Sequence, residues 1–230
     1  TANLGVAFGV SVARTVIAAA LNVFLTAMVA YTLVRQDFVL KKFVTIIFVL
    51  TMYVNAGLIP GYLLNKSLGL LNNFWVYILP GLVSAFDLII VRTYMKTIPG
   101  SLVESAQIDG ADEFTIFLKV MLPLTTPVLA TIALFVAVAQ WNSWFDTYIY
   151  CGSAKNLTTL QYELMKALST SMNQSGSTAN VANAEQAANQ VTPTAIRAAI
   201  TMVAAVPILC VYPFLQKYFV QGMTLGSVKE

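Results

Sequence analysis

Five stretches of this chain run for twenty or more positions with at most two charged residues: about 6–34, 43–64, 74–95, 124–146 and 195–219. A bilayer-crossing helix needs ~20 mostly apolar residues, so each stretch reads as one span. Runs such as Ile46-Ile47-Phe48-Val49-Leu50 do not alternate between polar and apolar, which sets aside a transmembrane β-barrel. No fixed-period repeat is present, and the Gly, Pro and Thr content of the runs argues against coiled coils. The pattern predicts an all-α, polytopic transmembrane helical bundle forming one domain over residues 1–230. Composition agrees: 58% of residues are hydrophobic, 10% charged, and the mean hydropathy is +0.74, well outside the range of soluble domains.

Between the spans the polar positions give an orientation. Placing the loop at 35–42 inside puts Arg35, Lys41, Lys42, Arg92, Lys96, Lys119, Lys217 and Lys229 on one side and Lys66, Lys155, Lys166 and Arg197 on the other. Eight against four follows the positive-inside bias, and Arg14, inside the first span near its outer end, reads as snorkelling to the interface. The chain then starts outside and ends inside. It begins at Thr1 with no basic n-region or cleavage site, and the expectation is that a further N-terminal span precedes it. The net charge of +3 follows from this topology, so nucleic acid is not an expected partner. With two cysteines, Cys151 outside and Cys210 deep in the last span, and no histidine, neither a disulfide nor a metal site is expected.

The outer segment at 151–194 divides into a helix over Thr159–Ser169 and a polar tract, Met172–Gln190, too poor in apolar residues to pack a core. The inner segment at 97–123 has more structure. Pro99-Gly100 ends a helix, and Ser101-Leu102-Val103-Glu104 fits a capping box that starts a short one. Asp109-Gly110 ends that helix, and a second runs from Ala111 to Met121 with Phe114, Phe117, Leu118 and Met121 as its apolar stripe. Pro123 and Pro127 lead into the next span. Two readings stay open from these residues alone: a compact helical knob that a soluble partner grips, or an ordinary charged inner loop.

The pattern Glu104-Ser105-Ala106, Asp109-Gly110-Ala111, Phe117, Leu122-Pro123 and Pro127 resembles the EAA loop of binding-protein-dependent ABC importer permeases, with Ser105 where Ala is usual. Ala30-Tyr31, Leu70-Leu71-Asn72, Arg92 with Pro99, Trp141-Asn142 and the tail Gly222–Lys229 are similar to the carbohydrate, maltose-permease-like branch. Asn156–Tyr162 and Tyr212–Phe219 resemble permeases for complex or acidic oligosaccharides. The resemblance covers essentially the whole chain.

It implies a type I importer fold and a division of labour. No Walker-type Gly-Lys-Ser/Thr occurs, so this chain has no catalytic residues. ATP and Mg are expected on a pair of separate ATPase subunits. The 101–121 knob is expected to seat in one of them through Glu104, Ser105, Ala106, Asp109, Gly110, Ala111, Phe117 and Pro123. A homologous second permease and an extracytoplasmic solute-binding protein complete the assembly, in the bacterial cytoplasmic (inner) membrane. Trp141, Asn142, Trp144 and Tyr148 combine rings and an amide as sugar sites do, and equally fit an aromatic belt at the membrane boundary. Asp87, inside the third span, fits a helix–helix hydrogen bond or a pairing with Arg14 or Arg92, more than substrate contact. An ABC permease for another solute, such as amino acids, or a secondary transporter are the competing classes; Gly57 and Pro60 are positions where the second span could break, as transporter helices do.

Overall fold

The computed structural model describes residues 4–176 and scattered positions between 194 and 210. The described residues are helical, without strands. The polar tract beyond 176, Arg197, Lys217 and the tail segments at 212–219 and 222–229 lie outside the described residues.

The first helix, α1 (Leu4–Val34), organises the fold. Its buried face includes Ala7, Ser11, Arg14, Ala18, Asn22, Thr26 and Ala30, three or four residues apart and all small or polar, Arg14 being the one long side chain among them. Small side chains let helix backbones approach where lipid offers no hydrophobic drive for association, while Phe8, Val16 and Phe24 point outward. Against this face lie α4 (Ala85–Met95) and α8 (Thr126–Asn142), its principal neighbours.

The other windows are interrupted. Within 43–64 the chain forms α2 (Lys41–Tyr53) and α3 (Leu58–Ser67). The Asn55 side chain accepts the Gly57 amide at 2.8 Å, and Gly57 adopts φ +85°, open to glycine but not to bulkier residues. Within 74–95 two 3-10 turns, Phe74–Tyr77 and Leu79–Gly81, precede α4 at a 51° bend. Pro80 and the Ser84 cap on the Asp87 amide stop the helical ladder from running through. Ahead of α8, a segment over Glu113–Leu124 bends by 80° into Thr126–Asn142, at Thr125 and Pro127. Among the described residues one helix, Leu4–Val34, is long and apolar enough to cross a membrane alone, and each bent pair is so when taken together.

Two apolar clusters divide the interior. One gathers Ala27, Ala30, Leu33, Leu88, Val91, Met95, Ile116, Phe117, Met121 and Ile132. The other, around Ala18, Val76, Tyr77, Ile78 and Cys151, lies towards the opposite end. Beyond α9 (Phe145–Tyr150), helix α10 (Leu160–Gly176) starts where expected but runs longer, and the Ser11 hydroxyl accepts the Leu160 amide at 2.9 Å to dock it on α1.

Candidate coupling site

The segment after α4 folds into a tight hairpin. Helix α5 (Ser101–Ile108) starts from Gly100, not from a capping box: Ser101 is already helical, and no side chain caps the end. The Gly100 carbonyl accepts both the Val103 and Glu104 amides, so the helix begins one residue earlier than the Ser-x-x-Glu spacing suggests. Its C-terminus is a full Schellman motif. The Gly110 amide donates to the Gln107 carbonyl and the Ala111 amide to the Ala106 carbonyl, each at 3.0 Å, with Gly110 at φ +80°.

The second helix differs from the expected Ala111–Met121. It starts at α6 (Glu113–Ile116), passes into a π-helical turn over Phe117–Met121, and continues as α7 (Leu122–Leu124). The Leu122 amide reaches back to the Phe117 carbonyl. The wide turn resets which positions face inward: Ile116, Phe117 and Met121 are buried, whereas Phe114 and Leu118 are exposed. Single π turns recur at functional places in helices. Phe117 packs against Tyr31 and Phe24 of α1, with ring centroids 5.5 and 6.0 Å away.

The structure therefore sorts the loop residues by role. Val103, Ala106 and Ala111 rest on the apolar cluster, the two alanines allowing close approach. Leu102, Glu104, Ser105, Ile108, Asp109, Gly110 and Pro123 are exposed. Ile108 is 87% exposed at the hairpin tip, an apolar side chain that nothing covers among the described residues. No ion pair involves Glu104 or Asp109 among the described residues.

Glu113, not singled out by its sequence context, joins this hairpin to α1. Tyr31 Oη donates to its Oε2 at 2.6 Å, and Arg35 Nη2 and Gln107 Nε2 donate to its Oε1 at 2.6 and 3.1 Å. Beside it, a hydrogen bond from the Thr115 hydroxyl holds the Asp112 carboxyl below its ordinary value of 3.8. A charged residue just past α1 followed by a carboxylate at the start of α6 was the only signal, and it needs the fold to bring the two together.

Towards the other end, Arg14 does not snorkel. Its side chain is 1% exposed and ion-paired with Asp146. Its Nε donates to Gln140 Oε1 at 2.5 Å, its Nη1 to the Ser143 carbonyl at 3.4 Å, and its guanidinium lies 4.5 Å from the Tyr77 ring centre. Asp87 pairs with neither Arg14 nor Arg92: no ion pair to it is found among the described residues. It sits in the first turn of α4, its amide capped by Ser84 Oγ at 3.4 Å.

The four aromatic and amide candidates separate. Trp141 is buried, edge-on to Phe8 at 6.1 Å, and its Nε1 donates to the Val203 carbonyl at 3.4 Å. Trp144 and Tyr148 share an aromatic group with Phe145, at 5.7–6.4 Å between ring centres, and Asn142 is exposed. Cys151 is fully buried beside Asn73, with burial pushing its thiol above the ordinary value. No group of His, Cys, Asp or Glu able to hold a metal occurs among the described residues.

Bent apolar helices packed on the small-residue face of α1, with an exposed hairpin between α4 and α8, form an architecture suited to a membrane component. The family model described as the binding-protein-dependent transport system inner membrane component matches residues 4–225, and the chain belongs to that family. It is an ABC-transport permease, the non-enzymatic membrane component of such systems. It is 40% identical over 220 residues to the polygalacturonan/rhamnogalacturonan transport system permease protein YtcP of Bacillus subtilis (strain 168), covering 96% of this chain and 75% of that one. Protein LplC of the same organism is 38% identical over 226 residues, covering 96% and 73%. Among solved structures, a bacterial ABC transporter involved in the import of the acidic polysaccharide alginate matches with a TM-score of 0.79 and 29% identity, covering 94% of this chain and 76% of that one.

Proposed function

We propose that this chain carries an oligosaccharide across the cytoplasmic membrane as one of two homologous permease subunits. A solute-binding protein delivers the sugar, and two separate ATPase subunits, which bind ATP and Mg, drive the cycle through the 101–121 hairpin. The observation that carries the coupling role is the α5 face on which Leu102, Ser105 and Ile108 are exposed, spaced three residues apart on one side of a short helix. An apolar tip of this kind fits a groove on a soluble protein, and helix-in-groove docking uses that spacing. Relatives named for sugar transport support the sugar class.

Within this hairpin, Glu104 and Asp109 are free to meet basic groups of the ATPase, while Gly110, Ala106 and Ala111 set the turn and its close seating on the bundle. Phe117 and the π turn carry motion of the hairpin into α1, a rigid-body transfer to the bundle. Trp144 and Tyr148 form the outer aromatic end of the path.

The test is reconstitution with the partner subunits in proteoliposomes, comparing wild type with Ile108→Glu. Uptake of a trisaccharide should fall at least tenfold while the membrane subunits still co-purify. Unchanged uptake and unchanged ATPase association would remove the hairpin tip from the mechanism.

A further inference from the structure

The 80° bend between Glu113–Leu124 and Thr126–Asn142 turns on Thr125, which is fully buried at φ −91° and ψ 0°. These angles lie in the bridge region, outside the helical basin that would carry one arm straight into the other. The Thr125 amide donates to the Met121 carbonyl and its carbonyl accepts the Leu129 amide, each at 3.0 Å, so the backbone ladder crosses the bend through this residue. Pro127 has no amide to offer the Pro123 carbonyl. Hydroxyls add to the backbone here: the Leu122 carbonyl accepts from Thr125 Oγ1 at 3.0 Å and from Thr126 Oγ1 at 3.4 Å.

Thr125 Oγ1 has a second acceptor, the Met121 carbonyl, at 2.9 Å. A hydroxyl carries one proton, and the two carbonyls compete for it at nearly equal distance. Rotation of that O–H changes which carbonyl is tied to the bend without breaking a backbone bond. There is also room for movement. A groove of about 480 Å³ lies against the bend, walled by Leu122 on one arm, Ala130 and Ala133 on the other, and Ala20 and Phe24 of α1. The two arms hold α1 differently. Glu113 and Phe117 fasten the first to Tyr31, near the C-terminal end of α1, whereas α8 lies along α1 as a principal neighbour.

We infer that Thr125 is a positioning residue for transport, a hydroxyl-held pivot about which the hairpin arm Glu113–Leu124 changes its angle to α8 when the ATPase subunits bind ATP. This rests on the coupling role proposed for the 101–121 hairpin and locates where its motion divides. Displacement of the hairpin arrives at α1 through Glu113 and Phe117 and is relieved at Thr125, so α8 keeps its seat while the arm swings. The π turn at Phe117–Met121 is a second irregular segment in the same arm, and helices bend at prolines and π turns. Leu118 lies seven residues from the pivot, roughly 10 Å along a helix. A rotation of about 15°, the size of known subunit rotations, therefore moves it by about 2–3 Å.

The experiment uses the whole transporter in proteoliposomes, with its second permease, ATPase subunits and binding protein. Spin labels at Leu118→Cys and Phe135→Cys, both exposed positions, report the distance across the bend, on a background with Cys210→Ser and no other exposed cysteine. With Thr125 intact, the distance should shift by about 2–3 Å between nucleotide-free protein and protein trapped with ATP and vanadate. Thr125→Val keeps the shape and removes the hydroxyl. It should broaden the distances in both states and lower the sugar moved per ATP hydrolysed several-fold, and Thr125→Ser should recover both. A distance that stays fixed on trapping, a Thr125→Val protein indistinguishable from wild type, or a Thr125→Ser protein that recovers nothing overturns the pivot. ATP-driven uptake with a fixed distance overturns the pivot and leaves the coupling reading standing. A shift on trapping in protein whose uptake survives Ile108→Glu overturns the hairpin-tip reading and leaves the pivot.

Discussion

Arg35, one residue beyond the end of α1, holds Glu113 of the 101–121 hairpin at 2.6 Å. The same carboxylate accepts from Tyr31 inside α1 and from Gln107 on α5. Both helices of the hairpin and α1, 82 residues from Glu113 at Tyr31, thus share one charge, and any displacement of the hairpin pulls directly on the longest helix among the described residues.

Glu113→Ala should uncouple more than it destabilises. The pair is partly solvated, with Glu113 about half exposed, so its contribution to stability is about 0–1 kcal/mol. The expected result is a several-fold drop in sugar moved per ATP hydrolysed, with unfolding temperature almost unchanged. Parallel uptake and phosphate-release assays on one preparation would check it. A large drop in unfolding temperature with normal coupling would show the link to be structural only.

Arg14 and Asp146 behave as a buried pair, so removing one partner leaves a charge stranded. Arg14→Met should cost about 3–5 kcal/mol, and the double change with Asp146→Leu should recover much of that. Thermal unfolding in detergent for the four members of a double-mutant cycle measures the coupling. Additive single effects would mean that the two side chains do not depend on one another.

Gly110 holds φ +80° with nothing within 4 Å of the place a Cβ would occupy. The strain of a substitution there is conformational and not a clash. Gly110→Ala should therefore cost about 1–2 kcal/mol locally, and Gly110→Asn less, since Asn tolerates this region better. Hydrogen exchange across 101–121 would register the loosened Schellman turn; equal protection in all three proteins would contradict it.

Cys151 offers a pH readout in the apolar cluster around Ala18 and Tyr77. Its folded-state value lies above the ordinary 9.0 because the thiol is buried, so the stabilising contribution is complete below that pH and fades as pH rises past it. Maleimide should leave Cys151 unmodified at neutral pH in folded protein and label it on denaturation, as followed by mass spectrometry. Rapid labelling of folded protein would mean that this cluster opens readily.

The class of protein was legible from residues alone. Long apolar runs admit few outcomes in lipid, since backbone groups must be satisfied within each segment, and α1 appears with nearly the expected limits. The Asp109-Gly110 stop was equally readable, because a left-handed turn residue ends a helix by local geometry that needs no neighbour.

Other features were decided by the tertiary structure. The start of α5 at Gly100, the π turn at Phe117–Met121 and the break at Thr125 depend on which backbone groups find partners once the helices are placed, whereas the break at Gly57 falls where the sequence offered one. Arg14 read as a snorkelling cation until Asp146, Gln140 and Tyr77 closed around it from elements more than sixty residues away. Glu113 was hidden for the same reason. Hydropathy reports whether a segment prefers lipid; which polar groups meet is fixed only when α1, α4 and α8 pack, because a hydrogen bond or ion pair acts over ångströms and not along the sequence.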